Sequence, residues 1–79
     1  MTLDLFESGQ NARITGVDWA TLAEDEGKRL LALGLDEGAE VCIVHRGVFG
    51  GRDPIALRLG NMTIAIRRAH AAAISVEAV

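Results

Sequence analysis

The chain has 79 residues, a hydrophobic fraction of 49% with only 4% aromatic, and a formal net charge of -3. One domain over residues 1–79 is all this length holds, and its core has to be built from Leu, Ile, Val and Ala. The single cysteine excludes an internal disulfide, no apolar run nears the ~20 residues that cross a bilayer, and the acidic balance argues against nucleic acid as a partner, so a cytoplasmic protein without a signal peptide is expected.

In chain order, Met1 to Phe6 reads as a short edge strand or an arm over an apolar groove, with Leu3 and Leu5 on one side. Asn11 to Val17 follows as a first main strand, in which Gly16 marks a bulge or a close backbone approach. Thr21-Leu22-Ala23-Glu24 matches a capping box, where hydroxyl and carboxylate satisfy each other's free backbone N–H groups. Leu22, Glu26, Leu30 and Leu33 then share one helical stripe, apolar except at Glu26. Gly27 weakens this helix by about 1 kcal/mol relative to alanine, which leaves open a helix starting only at Gly27 or Lys28.

Gly34 is the natural left-handed C-cap, Leu35 folds back on the last helical turn, and Asp36-Glu37-Gly38 turns the chain into strand residues from Ala39 onward. Val41, Ile43 and His45 share one face of that strand and Cys42, Val44 and Arg46 the other, which fits a central strand covered on both sides. Gly47 to Pro54 is a glycine-rich loop; Ile55 to Leu59 and Met62 to Arg67 form a hairpin about Gly60-Asn61. Arg68 to Ala72 makes one helical turn, and Ile74 and Val76 belong to a final strand that closes the sheet. Short strands, one helix and tight turns suit an all-β class, a strongly bent antiparallel sheet closed into a small barrel without exposed edges.

No catalytic set emerges. Ser8 and Ser75 lack a nucleophile-elbow setting, and the glycine loop lacks the Gly-Lys-Ser or Gly-Lys-Thr ending of a phosphate cradle. Cys42, His45 and His70 are capable metal ligands, but Cys42 and His45 point to opposite faces and no CxxC, HxxxH or carboxylate cluster completes a shell, so no metal and no cofactor is expected. Two surfaces suit interaction instead. Trp19 and Phe49 are either core lids or exposed anchors for a partner. Arg13, Arg46, Arg52, Arg58, Arg67 and Arg68 are either a solvated face or a basic stripe that steers an acidic surface.

The run Leu30 to Val41, the glycine-rich loop after it, Asp53-Pro54-Ile55, Gly60, Ile66-Arg67, the alanine run and Ile74-Ser75-Val76 resemble the FeoA family, small cytoplasmic proteins of bacterial ferrous iron transport. That resemblance covers about residues 11 to 77 and implies an SH3-like barrel with one inserted α-helix. It also implies a non-enzymatic accessory that binds the cytoplasmic GTP-binding domain of the ferrous iron permease, with another small component of the system or a second copy as further partners. The family's motif positions fall on Arg29, Leu30, Leu33, Gly34, Gly38, Val41, Pro54, Gly60, Arg67, Ala72 or Ala73, and Ile74; all but Arg29, Arg67 and the alanines are taken as structural. Partner-binding candidates are Trp19, Arg29, Leu35, Arg46, Phe49, Arg52, Arg58 and Arg67. The sequence departs from the pattern in the Arg46 to Asp53 loop, where Val48-Phe49 stands in place of an early proline, and in the acidic Glu24-Asp25-Glu26 segment. The runner-up is the SH3-like module of an iron-dependent transcriptional regulator, disfavoured by the lack of a helix-turn-helix; a small enzyme or nucleotide-binding protein requires a polar pocket that the sequence does not show.

Overall fold

A computed structural model describes residues 1–46 and 53–79, with only the backbone of His45 and Arg46. In chain order it contains a 3-10 turn at Leu3–Leu5, β1 at Asn11–Val17, a second 3-10 turn at Trp19–Thr21, α1 at Glu24–Leu33 and β2 at Glu40–Arg46. β3 at Ile55–Leu59, β4 at Met62–Ile66, α2 at Arg68–Ala71 and β5 at Ile74–Ala78 complete it. The Phe49 and Arg52 candidates, and the side chain of Arg46, lie outside the described residues.

The corner between α1 and β2 orients the rest. Gly34 caps the helix at φ +99°, a left-handed conformation that a Cβ disfavours. The N–H of Leu35 donates to the carbonyl of Leu30 and that of Gly34 to the carbonyl of Leu31, each at 3.0 Å, the pairing of a Schellman motif. Leu35 is thereby driven into the core beside Leu30, both fully buried. Asp36 then accepts the Ala39 N–H at its carbonyl, Gly38 takes φ +92°, and the N–H of Gly38 donates to Ile14 at 2.7 Å, which fastens the corner to β1.

At the other end of α1 the expected capping box does not form. The Thr21 hydroxyl donates to the Asp18 carbonyl within the 3-10 turn, and Ala23, with no side chain to offer, stands at the N-cap. Nor does the helix wait for Gly27. It starts at Glu24 and runs through Gly27, whose N–H donates to Ala23 at 2.8 Å. The N-terminal arm is ordered but not as a strand: the 3-10 turn splits Leu3, fully buried, from Leu5, which is exposed.

All strand pairs are antiparallel, in the order β4-β3-β2-β1-β5. The barrel expectation is therefore corrected: the described residues form an open five-stranded sheet with two helices, a mixed α/β domain, and no pairing among them joins β4 to β5. The edges are handled in another way. The outer edge of β5 receives the N-terminal arm, through a Thr2–Ser75 bridge and the Val76 N–H donating to Met1 at 2.8 Å, so it is not free to meet β4. Gly16 does lie at an irregularity, where the β1–β5 register shifts between Ile14 and Gly16.

Ala12 and Ile14 of β1, Val41 and Ile43 of β2, Ile55 and Leu57 of β3, Ile66 of β4, and Ile74 and Val76 of β5 form one face of the core. Leu3, Phe6, Leu30, Leu35 and Ala71 cover it from the other elements. The second face of β2 is less covered than expected: Cys42 is half-buried and Val44 is exposed. Outward on that face, Arg13 stands between Glu40 of β2 at 3.8 Å and Glu77 of β5 at 3.6 Å, a cross-strand charge ladder. The β3–β4 hairpin turns with φ +61° at Gly60 and no positive φ at Asn61, the pattern of a type II′ turn. Asp53 accepts the Arg68 backbone N–H at 2.8 Å and so caps α2 from fifteen residues upstream.

Candidate functional site

Trp19 leaves the second 3-10 turn and lays its ring over α1 at Gly27. A Cβ built on Gly27 would stand 3.5 Å from Cε3 of the indole, an ordinary contact, so the ring lies directly over this turn of the helix. The stacking leaves the indole 38% exposed, and Leu31, one turn further along, is 50% exposed. Together with Ala23, Gly27 and the stems of Glu24 and Lys28 they line a shallow apolar groove of about 240 Å³. Glu24 and Lys28 form an i,i+4 pair at 3.1 Å on its border.

A polar cluster links the two helices. Arg29 donates through Nε to Oε1 of Glu26 at 2.7 Å and through a second nitrogen to Oε2 at 3.0 Å, a two-point clasp. His70 of α2 brings its buried Nδ1 to 2.9 Å from the same Oε2, an electrostatic contact rather than an aligned hydrogen bond. The hydrogen bond from Arg29 holds the Glu26 carboxyl below its ordinary range against the opposing effect of partial burial, with the charges of Arg29 and His70 adding to it. The same hydrogen bond raises the Arg29 guanidinium. This cluster explains how an acid is tolerated on the apolar stripe of α1.

The remaining candidates separate clearly. Leu35 is fully buried and presents no side-chain surface, so its place among the partner contacts is corrected to a core role. Arg29 is engaged by Glu26; Arg58 on β3 and Arg67 just before α2 are exposed. Leu30, Val41 and Ile74 are buried, Leu33 and Pro54 half-buried, and Gly34, Gly38 and Gly60 take positive φ. Sequence reasoning missed Leu31, Gly27 as the seat of the indole, and the Glu26–His70 contact. The Glu26–Arg29 spacing of three carried a signal for the clasp, whereas nothing local marked His70 as its neighbour. Among the described residues no group of three or more His, Cys, Asp or Glu could hold a metal ion, and no helix is long and apolar enough to cross a membrane.

A family model described as the FeoA domain matches residues 1–78. No curated protein matches the chain. Among solved structures, the FeoA protein from Chlorobium tepidum superposes with a TM-score of 0.84 at 29% identity, covering 100% of this chain and 70% of that one. Iron(II) transport protein A from Clostridium thermocellum gives a TM-score of 0.85 at 30% identity; all of this chain is covered but only 46% of that one. FeoA of Stenotrophomonas maltophilia, complexed with zinc, gives 0.81 at 28% identity, over 98% of this chain and 89% of that one. That protein is described as an SH3 domain protein and a candidate activating factor of bacterial ferrous iron transport.

Proposed function

From the premise that this chain belongs to the FeoA domain family, we propose that it is a non-enzymatic accessory of ferrous iron transport, acting in the cytoplasm by docking on the GTP-binding domain of the membrane iron permease. The observation that carries the docking is the groove between Trp19 and Leu31. Isolated exposed apolar residues are ordinary, but an indole propped on a glycine beside an exposed leucine offers a ready-made aromatic anchor, the residue type over-represented where interfaces concentrate their energy. Its charged border, Glu24 and Lys28, supplies a polar rim.

On this reading the protein acts by differential affinity. A domain that binds one nucleotide state of its partner more tightly shifts the partner toward that state, and needs no chemistry of its own. The rigid Gly34 to Gly38 corner holds α1, and with it the groove, in a set orientation to the sheet.

The test is an NMR titration of the labelled chain with the purified cytoplasmic region of the permease, with and without a GTP analogue. Saturable shifts centred on Trp19, Gly27 and Leu31 and altered by nucleotide are expected, and Leu31→Glu, an exposed change that leaves the core intact, should weaken them at least tenfold. Shifts absent in both nucleotide states, with both proteins folded, would refute direct docking.

A further inference from the structure

The two edges of the sheet are unlike. β5 is covered by the N-terminal arm, while no described residue pairs with the outer edge of β4. Because Leu59 and Met62 flank a two-residue turn they are a hydrogen-bonded pair, as are Leu57–Ile64 and Ile55–Ile66, so the N–H and C=O groups of Thr63 and Ala65 face outward. No other described backbone group meets them. The strand Met62-Thr63-Ile64-Ala65-Ile66 has no charge, no proline and no irregular register, and so lacks the charge, proline and bulge that commonly close an edge to a further strand.

Positive charge flanks this edge on one face. Thr63, Ala65 and Arg67 alternate outward along the strand, since Arg67 is still extended at φ -72°, ψ 147°. Arg58 stands opposite Thr63 on β3 and on the same face. The two arginines are therefore offset by four residues along the edge, about 13 Å at the rise of a strand. Only Thr63 and Ala65, both small and exposed, lie between them. No ion pair with a described residue holds either arginine, unlike Arg13 and Arg29.

We propose that the β4 edge, flanked by Arg58 and Arg67, accepts an extended acidic segment of another protein as an added strand, with two carboxylates four residues apart on one face. Backbone pairing with Thr63 and Ala65 gives the affinity, and the two arginines select the charge. A second copy of this chain fits less well, because β4 against β4 would gather four arginines along one seam. A nucleic acid would satisfy the arginines but not the strand edge, whose donors and acceptors alternate as in a sheet.

The experiment uses the labelled full chain and a synthetic ten-residue peptide of Thr and Val carrying two glutamates four residues apart. Expected are saturable shifts at Thr63 and Ala65 with slowed exchange of those two amides, and roughly 1.5- to 5-fold weaker binding for each of Arg58→Gln and Arg67→Gln, the range for an exposed ion pair. Thr63→Pro removes an outward N–H and no ladder bond, so it should abolish binding while the remaining amide spectrum stays folded. Equal binding of a same-composition peptide with a central proline, or displacement by an oligonucleotide with the same shift pattern, would overturn the strand and leave simple attraction of polyanions. Self-association through the same two amides without peptide would overturn the acidic occupant in favour of a second copy. Absence of binding at millimolar peptide would overturn the site itself. The peptide contains nothing of the permease, so this result and that of the docking titration stand or fall separately.

Discussion

The same substitution, glycine to alanine, is expected to have opposite effects at two ends of α1. At Gly34 the backbone is left-handed, φ +99°, and the new Cβ would stand 3.6 Å from Cδ2 of Leu59, an ordinary contact. The penalty is then conformational rather than steric, about 1–2 kcal/mol for a Cβ in that region. At Gly27 the backbone is helical and the Cβ would meet the indole of Trp19 at 3.5 Å, again an ordinary contact. Relief of glycine's helical penalty should stabilise by about 0.5–1 kcal/mol. For a domain of this size the two variants should differ in Tm by roughly 6–24 °C, from about 4–8 °C per kcal/mol. Urea denaturation followed by far-UV circular dichroism is the assay, since Gly27→Ala touches the only tryptophan and would disturb its fluorescence. An unchanged m with midpoints moving in opposite directions is expected. Gly34→Ala within about 0.3 kcal/mol of the parent, far below the left-handed penalty, would refute the reading of the corner.

The Glu26 clasp predicts a pH dependence. Its folded pKa is lowered, so its stabilisation is present above the unfolded value near 4.5 and is lost as pH falls through the folded value. Glu26→Gln should destabilise at pH 7 by about 0.5–1 kcal/mol and by much less near pH 3, measured by urea titration; a difference that did not shrink in acid would refute the linkage. Asp53→Ala removes the cap on α2 and should destabilise by about 1 kcal/mol, with faster amide exchange at Arg68 as its local signature.

Much of the architecture was legible in short stretches of sequence. Gly34 and Gly38 specify the corner because glycine accepts those backbone angles most readily, Leu35 by the apolar contact that follows such a cap, and Gly60 specifies the hairpin turn for the same reason as the first two. Alternation in β3 and β4 and the stripe through Leu30 announced which faces are buried. Yet a local motif loses to a nearer competitor, as Thr21 shows by bonding within its own 3-10 turn rather than capping α1. What a buried face packs against, or what lies beside an edge, depends on residues far away in the chain. The arm at Thr2 occupies the edge of β5, and His70 meets Glu26 across two helices. Leu35 reads both as the apolar contact behind the Gly34 cap and as a partner contact; the capping motif supplies the first role locally, and only the tertiary packing shows that it leaves no surface for the second. Periodicity is a property of one segment, whereas closure of a sheet, seating of an indole on a glycine and burial of a carboxylate are properties of pairs of segments, and the tertiary structure alone decided those pairings.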